Sequence, residues 1–568
     1  MKISKVLWKC AVVPSSVLVL SIVYQYIGAT PTSIIKNPEK QYDYIVVGAG
    51  SAGCVIASKL SAEPNVSVLL VEAGGRFNWL STVPLAAPMM QGTSVDWSYK
   101  TEPQRYSSGG LINHQQSWPR GKGLGGSGQL NYLVHSFGRP DDYDSWPATW
   151  SYKSLNPYFQ GVAKKMLFHG ETLEGGLFEA FESLNASVLT GDVTLEKASN
   201  TIRRGARWSS FHAYLEASQN RENLHILTNT LVTQILINDL VARGVRVKSD
   251  GGTVETVKAR REIILSTGAV NTPQLMMLSG VGPTEELRRY QIPLVKNLPQ
   301  VGRNLFDHLN VPIYINLETP VSITLKKMQK LSEVFKYMVF GSGLLATNGI
   351  VGIGRANRST LVLFGVASAD EKLLKDIANF ETRTFRSLFP SYNDTSHEGF
   401  IYLASCGQPR SRGTITLRSR RISDPPRIEP AYLTDEADIA CTREAIKLAL
   451  ETLEKPQFRS LGAKVHVANL DDCQQFQQDY RDSKYAECVI RTAGLTGHHP
   501  GGTCKIGEDE NDSVVDERLR VHGIANLRII DASVLPSPIS GSPNSLIIAI
   551  AEKATDFILD ENRKRLVG

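Results

Sequence analysis

The stretch that most restricts what this chain can fold into is residues 42–75. Residues 44–47 (Tyr-Ile-Val-Val) are apolar and largely β-branched, the composition of a buried strand. Gly48, Gly50 and Gly53 follow at the spacing G-x-G-x-x-G, with Ser51 and Ala52 between them. Val55, Ile56 and Leu60 then fit one face of a helix, and residues 66–71 make a second apolar run. That run leads into Glu72 and Ala73, the carboxylate standing 19 residues after Gly53. Strand, glycine turn, helix, strand and acidic residue is the order a dinucleotide site needs. The first glycine permits a tight turn, the second brings backbone close to a pyrophosphate, and the third lets the helix pack on the strand. The helix N-terminus offers unpaired N–H groups and a positive dipole end to phosphates. A carboxylate at the end of the second strand can hold ribose hydroxyls. Taken alone, the stretch suits NAD as well as FAD.

The 568 residues suffice for ~3–4 average domains or two large ones. A hydrophobic content of 42% and a charged content of 21% are those of an ordinary globular protein. A net charge of +6 over this length is small, and no long basic run appears, which speaks against a nucleic-acid partner.

The N-terminus differs from the rest. Lys2, Lys5 and Lys9 precede an apolar stretch, 11–27, interrupted by Pro14, Ser15 and Ser16. Its unbroken part, 17–24, suits the apolar region of a signal peptide and is short for a membrane span. Residues 1–29 therefore read as a cleaved signal, with an uncleaved signal-anchor as the alternative, and the polar residues 30–41 as a linker. No other membrane span is expected. Sequons at Asn65, Asn185, Asn357, Asn393 and Asn511 fit a secreted or lumenal glycoprotein. Of seven cysteines, Cys54 falls in the first helix as an inert buried residue, and Cys473 and Cys488 make the expected disulfide. No Cys/His set has metal-site spacing.

Further along, residues 76–118 read as a long ordered loop and lead into a second glycine-dense stretch, 118–131. It contains Arg120, Gly125, Gly126 and Asn131, and suggests backbone passing close to a flat or anionic ligand. Strand patterns resume at 224–228, 231–237 and 241–247, and after a turn at 250–252 one further strand is followed by a separate run, 262–266. The following stretch, 269–282, carries a short helix with Pro273 near its start and is ended by its glycines. Residues 312–493 alternate β-rich and helical runs and read as a separate α+β domain on a mostly antiparallel sheet. The last 75 residues carry His498 and His499 in a glycine loop, a short strand ending at Asp531, and a helix over 545–559. Ser542 is its expected N-cap and Pro543 its first residue, which places the positive end of its dipole beside Asn544. The domains expected are 42–146, 224–311 and 494–568 for a discontinuous Rossmann-like α/β nucleotide domain, 147–223 as an insertion of the substrate domain, and 312–493 as that domain's main body.

Together these pieces resemble the glucose–methanol–choline (GMC) family of FAD-dependent oxidoreductases over about residues 42–560. The residues carrying the likeness are the first glycine motif with Glu72, Arg120-Gly-Lys-Gly-Leu-Gly-Gly-Ser with Asn131, and residues 268–282. Val-Gly-Arg-Asn-Leu-Phe-Asp-His at 301–308, His499-Pro-Gly-Gly-Thr-Cys, and Ile530-Asp-Ala-Ser through Asn544 complete it. The resemblance implies FAD and an alcohol CH–OH substrate. It places Val232 by the adenine, Asp531 by the ribityl or pyrophosphate part, His499 as the active-site base, and Asn544, 45 residues on, as its partner. Relatives with covalently bound flavin carry a histidine just before the motif's Asn; here that residue is Leu130, so the FAD is expected to be non-covalent.

A neutral imidazole suits removal of the hydroxyl proton, with an ordinary pKa of about 6.5. The Asn544 amide can donate to the developing alkoxide, and the helix after it can stabilise negative charge near flavin N1. The carbon loses its hydride to flavin N5. His498 and His308 are expected to be structural. Residues 341–356 hold no acidic residue, which argues against choline, and their apolar character with the signal segment suits a hydrophobic, sterol- or retinoid-like alcohol, with oxygen or another electron acceptor. The competing readings are a carbon–carbon lyase on the same scaffold, a choline dehydrogenase-like enzyme, and a secreted binding protein with a degenerate site.

Overall fold

A computed structural model describes residues 32–167, 176–184, 189, 192–367 and 369–567. The signal segment 1–29 and the sequon at Asn185 lie outside the described residues. The glycine stretch folds as its pattern dictates, into strand Gln41–Val47, helix Ser51–Leu60 and strand Val68–Val71. Tyr44, Ile45, Val46, Val68, Leu69 and Leu70 are fully buried, as continuous apolar runs in parallel strands are.

These strands belong to an eight-stranded sheet in the order Ile34–Ile35, Leu224–Leu227, Val68–Val71, Gln41–Val47, Val254–Leu265, Val241–Ser249, Thr230–Asn238, with Leu527–Ile529 also paired to Val254–Leu265. The first five neighbours and Leu527–Ile529 run parallel, and the remaining two join antiparallel. The parallel strands therefore present their carboxyl ends along one edge, where ligands of such sheets bind. Helix Ser51–Leu60 packs between the sheet and the closing helix, Asn544–Val567.

The second sheet has seven strands and is antiparallel throughout. Leu309–Asn316, Gly399–Cys406, Ser359–Phe364, Ile350–Ala356 and Val193–Lys197 lie side by side, with Lys464–Val465 and Leu495–Thr496 both paired to Leu309–Asn316. Helix Glu436–Leu453 covers this sheet and buries Ile439, Ala445, Ile446 and Ala449 in a second hydrophobic core. Fold class thus agrees with the sequence reading.

Several local expectations change. Residues 30–41 are more than a linker, because Ile34 and Ile35 pair with Ile226 and Leu227 and extend the sheet edge. The two strands expected across 253–266 are one, Val254–Leu265. Its first part pairs with Val241–Ser249 and its last residues with Leu527–Ile529, so Lys258, Arg260 and Arg261 mark a change of partner and not a turn. The span 147–223 divides between the two cores. Helix Tyr152–Met166 buries Leu155, Phe159, Val162 and Met166 in the nucleotide-domain core, while Val193–Lys197 joins the second sheet. Pro273 sits inside helix Gly268–Leu278 and not near its start. The closing helix starts one residue later than expected: Ile547 N donates to Pro543 O, so Pro543 and not Ser542 holds the capping position.

Cys473 and Cys488 are bonded as expected. A second disulfide, Cys406–Cys441, ties the end of strand Gly399–Cys406 to helix Glu436–Leu453. Its 35-residue separation carried no local signal. Cys54 and Cys504 are buried free thiols.

Candidate active site

The carboxyl ends of the parallel strands open into a cavity. The turn after the first strand forms one wall. Gly48 has φ +96°, a conformation that favours glycine, and a Cβ there would meet Ser266 O at 2.6 Å. A Cβ on Gly53 would meet Gly48 O at 1.8 Å, so the third glycine lets the helix close directly under the turn. Gly50, Ser51 and Ala52 line the cavity with the first turn of the helix, which no side chain caps. Its leading N–H groups are those a phosphate takes.

Glu72 and Ala73 line the next wall. Glu72 Oε2 accepts from Ala49 N at 2.8 Å and Oε1 from Gly74 N at 2.9 Å. Burial outweighs these bonds and pushes its carboxyl up to about 7. Val232 lines the same end, beside Thr230 and Leu231.

The second glycine stretch meets the first. Gly125 N donates to Ala49 O at 2.8 Å, and Gly126 packs on Gly50 and lines the cavity. Gly125 itself stands behind that wall. Arg120 lines the cavity, and its Nη2 donates to His498 O at 2.9 Å, which joins this stretch to the histidine loop. Asn131 is not among the lining residues; its Oδ1 accepts from the buried Arg207 at 2.7 Å. Leu130 is buried.

Asp531 closes the far side with Gly268. Its Oδ2 accepts from Gly268 N at 2.8 Å and from Thr272 Oγ1 at 2.7 Å, and its Oδ1 accepts from Ser533 N at 2.8 Å. Burial raises its pKa, which suits a carboxylate waiting for further donors.

His499 is fixed from two sides. Its backbone N donates to Asp307 Oδ1 at 2.7 Å, and its Nδ1 lies 2.9 Å from Nδ1 of His308. His308 Nε2 in turn lies 2.8 Å from Gly407 O. A carbonyl only accepts, so His308 carries a proton on Nε2. With that single proton His308 has a lone pair at Nδ1 and accepts there, and His499 then donates from its own Nδ1. That leaves Nε2 of His499 unprotonated. Burial, followed by His308, His498 and Arg120, holds the His499 imidazole well below the ordinary histidine value. His308 is therefore more than a structural neighbour of cofactor contacts: it is bonded to the expected base.

Asn544 opens the closing helix, and its Oδ1 accepts from Ser51 Oγ at 2.6 Å. The N-termini of the two helices thus meet at the glycine turn. Among the described residues no hydrogen bond joins Asn544 to His499. Trp97, Ser127, Thr267, Asn271, Pro500 and Ile547 also line the cavity and were not named as site residues, although Ser127, Asn271 and Pro500 fall inside the motifs quoted above. Trp97 gave no signal as a lone aromatic in a long loop, whereas Ile547 lies close after the last motif. The described residues hold no cluster suited to a metal ion.

A parallel sheet with a glycine cradle, a buried carboxylate at the second strand and a remote histidine loop defines an FAD-dependent oxidoreductase. Sequence models of the GMC oxidoreductase family match residues 42–310 and 409–551, and the chain belongs to that family. It is 36% identical to the Drosophila melanogaster protein named neither inactivation nor afterpotential protein G, over 91% of this chain and 90% of that one. It is 32% identical to ecdysone oxidase of Spodoptera littoralis, over 92% of each chain. It is 34% identical to a Pseudomonas putida alcohol dehydrogenase [acceptor], over 91% of this chain and 96% of that one. The fold is similar to that of Aspergillus oryzae formate oxidase, with a TM-score of 0.79, 24% identity, and 93% and 100% of the two chains covered. FAD is the cofactor of this class, and the cavity residues fit it.

Proposed function

We propose that the chain oxidises the CH–OH group of a hydrophobic, sterol- or retinoid-like alcohol, with His499 as the base. The observation that carries this reading is the His308–His499 pair, which leaves Nε2 free on the imidazole next in the chain to Pro500, a residue of the cavity wall. His499 takes the hydroxyl proton at Nε2. Ser51 occupies Oδ1 of Asn544, which leaves the amide N–H groups to donate to the alcohol oxygen as its charge grows. When bound, the flavin accepts the hydride at N5. Glu72 holds ribose hydroxyls, Val232 meets the adenine through its backbone, and the 48–53 turn, Asp531 and Gly268 hold the phosphates and ribityl chain. With Leu130 where covalent relatives carry histidine, the cofactor is held without a covalent bond.

The absence of an acidic residue in 341–356 supports a neutral substrate, and a relative named ecdysone oxidase supports a bulky one. We place the protein in the secretory pathway, as a glycoprotein. Two disulfides support an oxidising compartment, and Asn65, Asn357, Asn393 and Asn511 are exposed.

An anaerobic screen of alcohols, read by bleaching of the flavin bands, tests the reading. Repetition in air separates an oxidase, which yields peroxide, from a dehydrogenase. His499→Ala is expected to keep bound flavin and to lose about 10²–10⁴-fold in kcat/KM. Full turnover by that variant rejects the base. Cyanohydrin cleavage without flavin reduction would instead identify a lyase.

A further inference from the structure

Helix Leu331–Phe340 carries its amphipathic pattern inside out. Leu331, Val334, Phe335, Met338 and Val339 recur at the i, i+3, i+4, i+7 and i+8 positions that normally face a core. Here no residue of the helix is buried, and those five side chains are exposed, together with Phe340. Leu331 keeps 86% of its surface and Phe340 69%. Of its polar residues, Glu333 and Tyr337 are half-buried and turn toward the protein, while Ser332 and Lys336 stay exposed. Glu333 accepts from Leu344 N at 3.0 Å and pairs with Lys336 at 2.7 Å, and the Tyr337 hydroxyl pairs with Thr82. That contact sets the helix beside the short helix Trp79–Thr82, whose Trp79 is also exposed.

The rim of this apolar face is basic. Lys326 and Lys330 precede the helix, and the Arg204–Gly205 turn lies against Gly341 at its end. Arg204, Lys326 and Lys330 are exposed and make no salt bridge among the described residues. The segment after the helix runs to the active site. Asn348 Nδ2 donates to Tyr132 O at 2.7 Å, and the Tyr132 ring stacks on His498 with centroids 6.5 Å apart.

We propose that this helix docks flat on a phospholipid bilayer, with its aliphatic and phenyl side chains among the acyl chains. Arg204, Lys326 and Lys330 meet the headgroup phosphates, and Trp79 lies at the interface. Apolar residues in a stripe, cations at its edge and an aromatic at headgroup depth are what an interfacial helix presents to lipid. The consequence for catalysis rests on the hydrophobic-alcohol reading: a lipid-dissolved substrate would reach the site along 341–348 without crossing water.

The test uses the purified holoenzyme and vesicles of phosphatidylcholine, with and without a minor fraction of phosphatidylglycerol. Holoenzyme is expected to float with both and to bind the anionic vesicles more tightly, with the excess removed by salt. Phe335→Asp combined with Phe340→Asp changes only exposed side chains. It is expected to keep the flavin spectrum and the turnover of a short water-soluble alcohol, and to lose vesicle partitioning by about a hundredfold. An environment-sensitive fluorophore on Leu331→Cys reads insertion of the helix itself, whatever the N-terminal segment does, and should shift to the blue on vesicle addition. Unchanged fluorescence overturns the proposal, as does a dimer dispersed by the double variant without any vesicle binding. Flotation and fluorescence need no substrate, so failure of the alcohol reading leaves this result readable.

Discussion

One methyl group tests the glycine turn. A Cβ at Gly53 falls 1.8 Å from Gly48 O, backbone that neither strand nor helix can move aside. Gly53→Ala is expected to cost about 3 kcal/mol or more and to yield protein without flavin, measured by denaturant unfolding and by absorbance. Glu72 gives a pH signature to the apoprotein. Its folded-state pKa, raised by burial to about 7, exceeds its unfolded value, so the folded state binds the extra proton. The stability this group contributes is complete below its unfolded value near 4.5 and is lost as pH rises through about 7. Thermal unfolding of apo Glu72→Gln should lack that decline. His499, held below the ordinary histidine value, should remain a free base into mildly acidic solution, so the acid limb of kcat/KM should lie below pH ~6.5. His308→Gln can still accept from His499 and donate to Gly407 O, whereas His308→Leu cannot. Leu should lower kcat by about 10²-fold and move the acid limb, and Gln should restore much of both, read from pH–rate profiles.

At the scale of the element, helix Gly268–Leu278 shows how a local defect becomes a joint. Pro273 lacks the N–H that Ala269 O would receive, and Thr503 Oγ1 donates to that carbonyl at 2.7 Å instead. The proline thus ties the cofactor-side helix to the histidine loop. Thr503→Val leaves a buried carbonyl unpaired and is expected to cost about 1–3 kcal/mol in chemical denaturation. The two disulfides staple the other domain. Loop closure over 35 residues for Cys406–Cys441 and over 15 for Cys473–Cys488 stabilises by about 4 and about 3 kcal/mol. Cys406→Ala with Cys441→Ala should therefore lower Tm by somewhat more than the matching change at Cys473 and Cys488, as scanning calorimetry would show. Neither element exceeds what a few neighbouring residues impose, yet each acts on residues more than two hundred positions away or on a second layer of structure.

For the whole molecule, the nucleotide domain is assembled from distant lengths of chain. Leu527–Ile529 completes the pairing of Val254–Leu265, Asp531 holds Gly268 and Thr272, and Asn544 receives Ser51. A chain ending at residue 493 should therefore retain no flavin and expose its nucleotide core, detectable by absorbance and by limited proteolysis. The residues of the glycine turn, Glu72, and the strand and helix periods around them were legible because each depends on neighbours within a few positions. So were the antiparallel character of the second sheet and the Cys473–Cys488 bond. The motifs also indicated that residues 120–131, 268–282 and 497–544 return to one cofactor. What they did not specify was contact. Asn131 binds Arg207 behind the cavity wall, His308 meets His499 at Nδ1, Pro273 sits inside its helix, and Cys406 finds Cys441. Nor did the pattern of residues 331–340 distinguish a buried stripe from an exposed one, because periodicity fixes which side chains share a face and not what covers it. Sequence alone determined the local conformations and the class of chemistry. The tertiary structure decided partners and exposure, since both depend on residues brought together only when the two domains close around their cores.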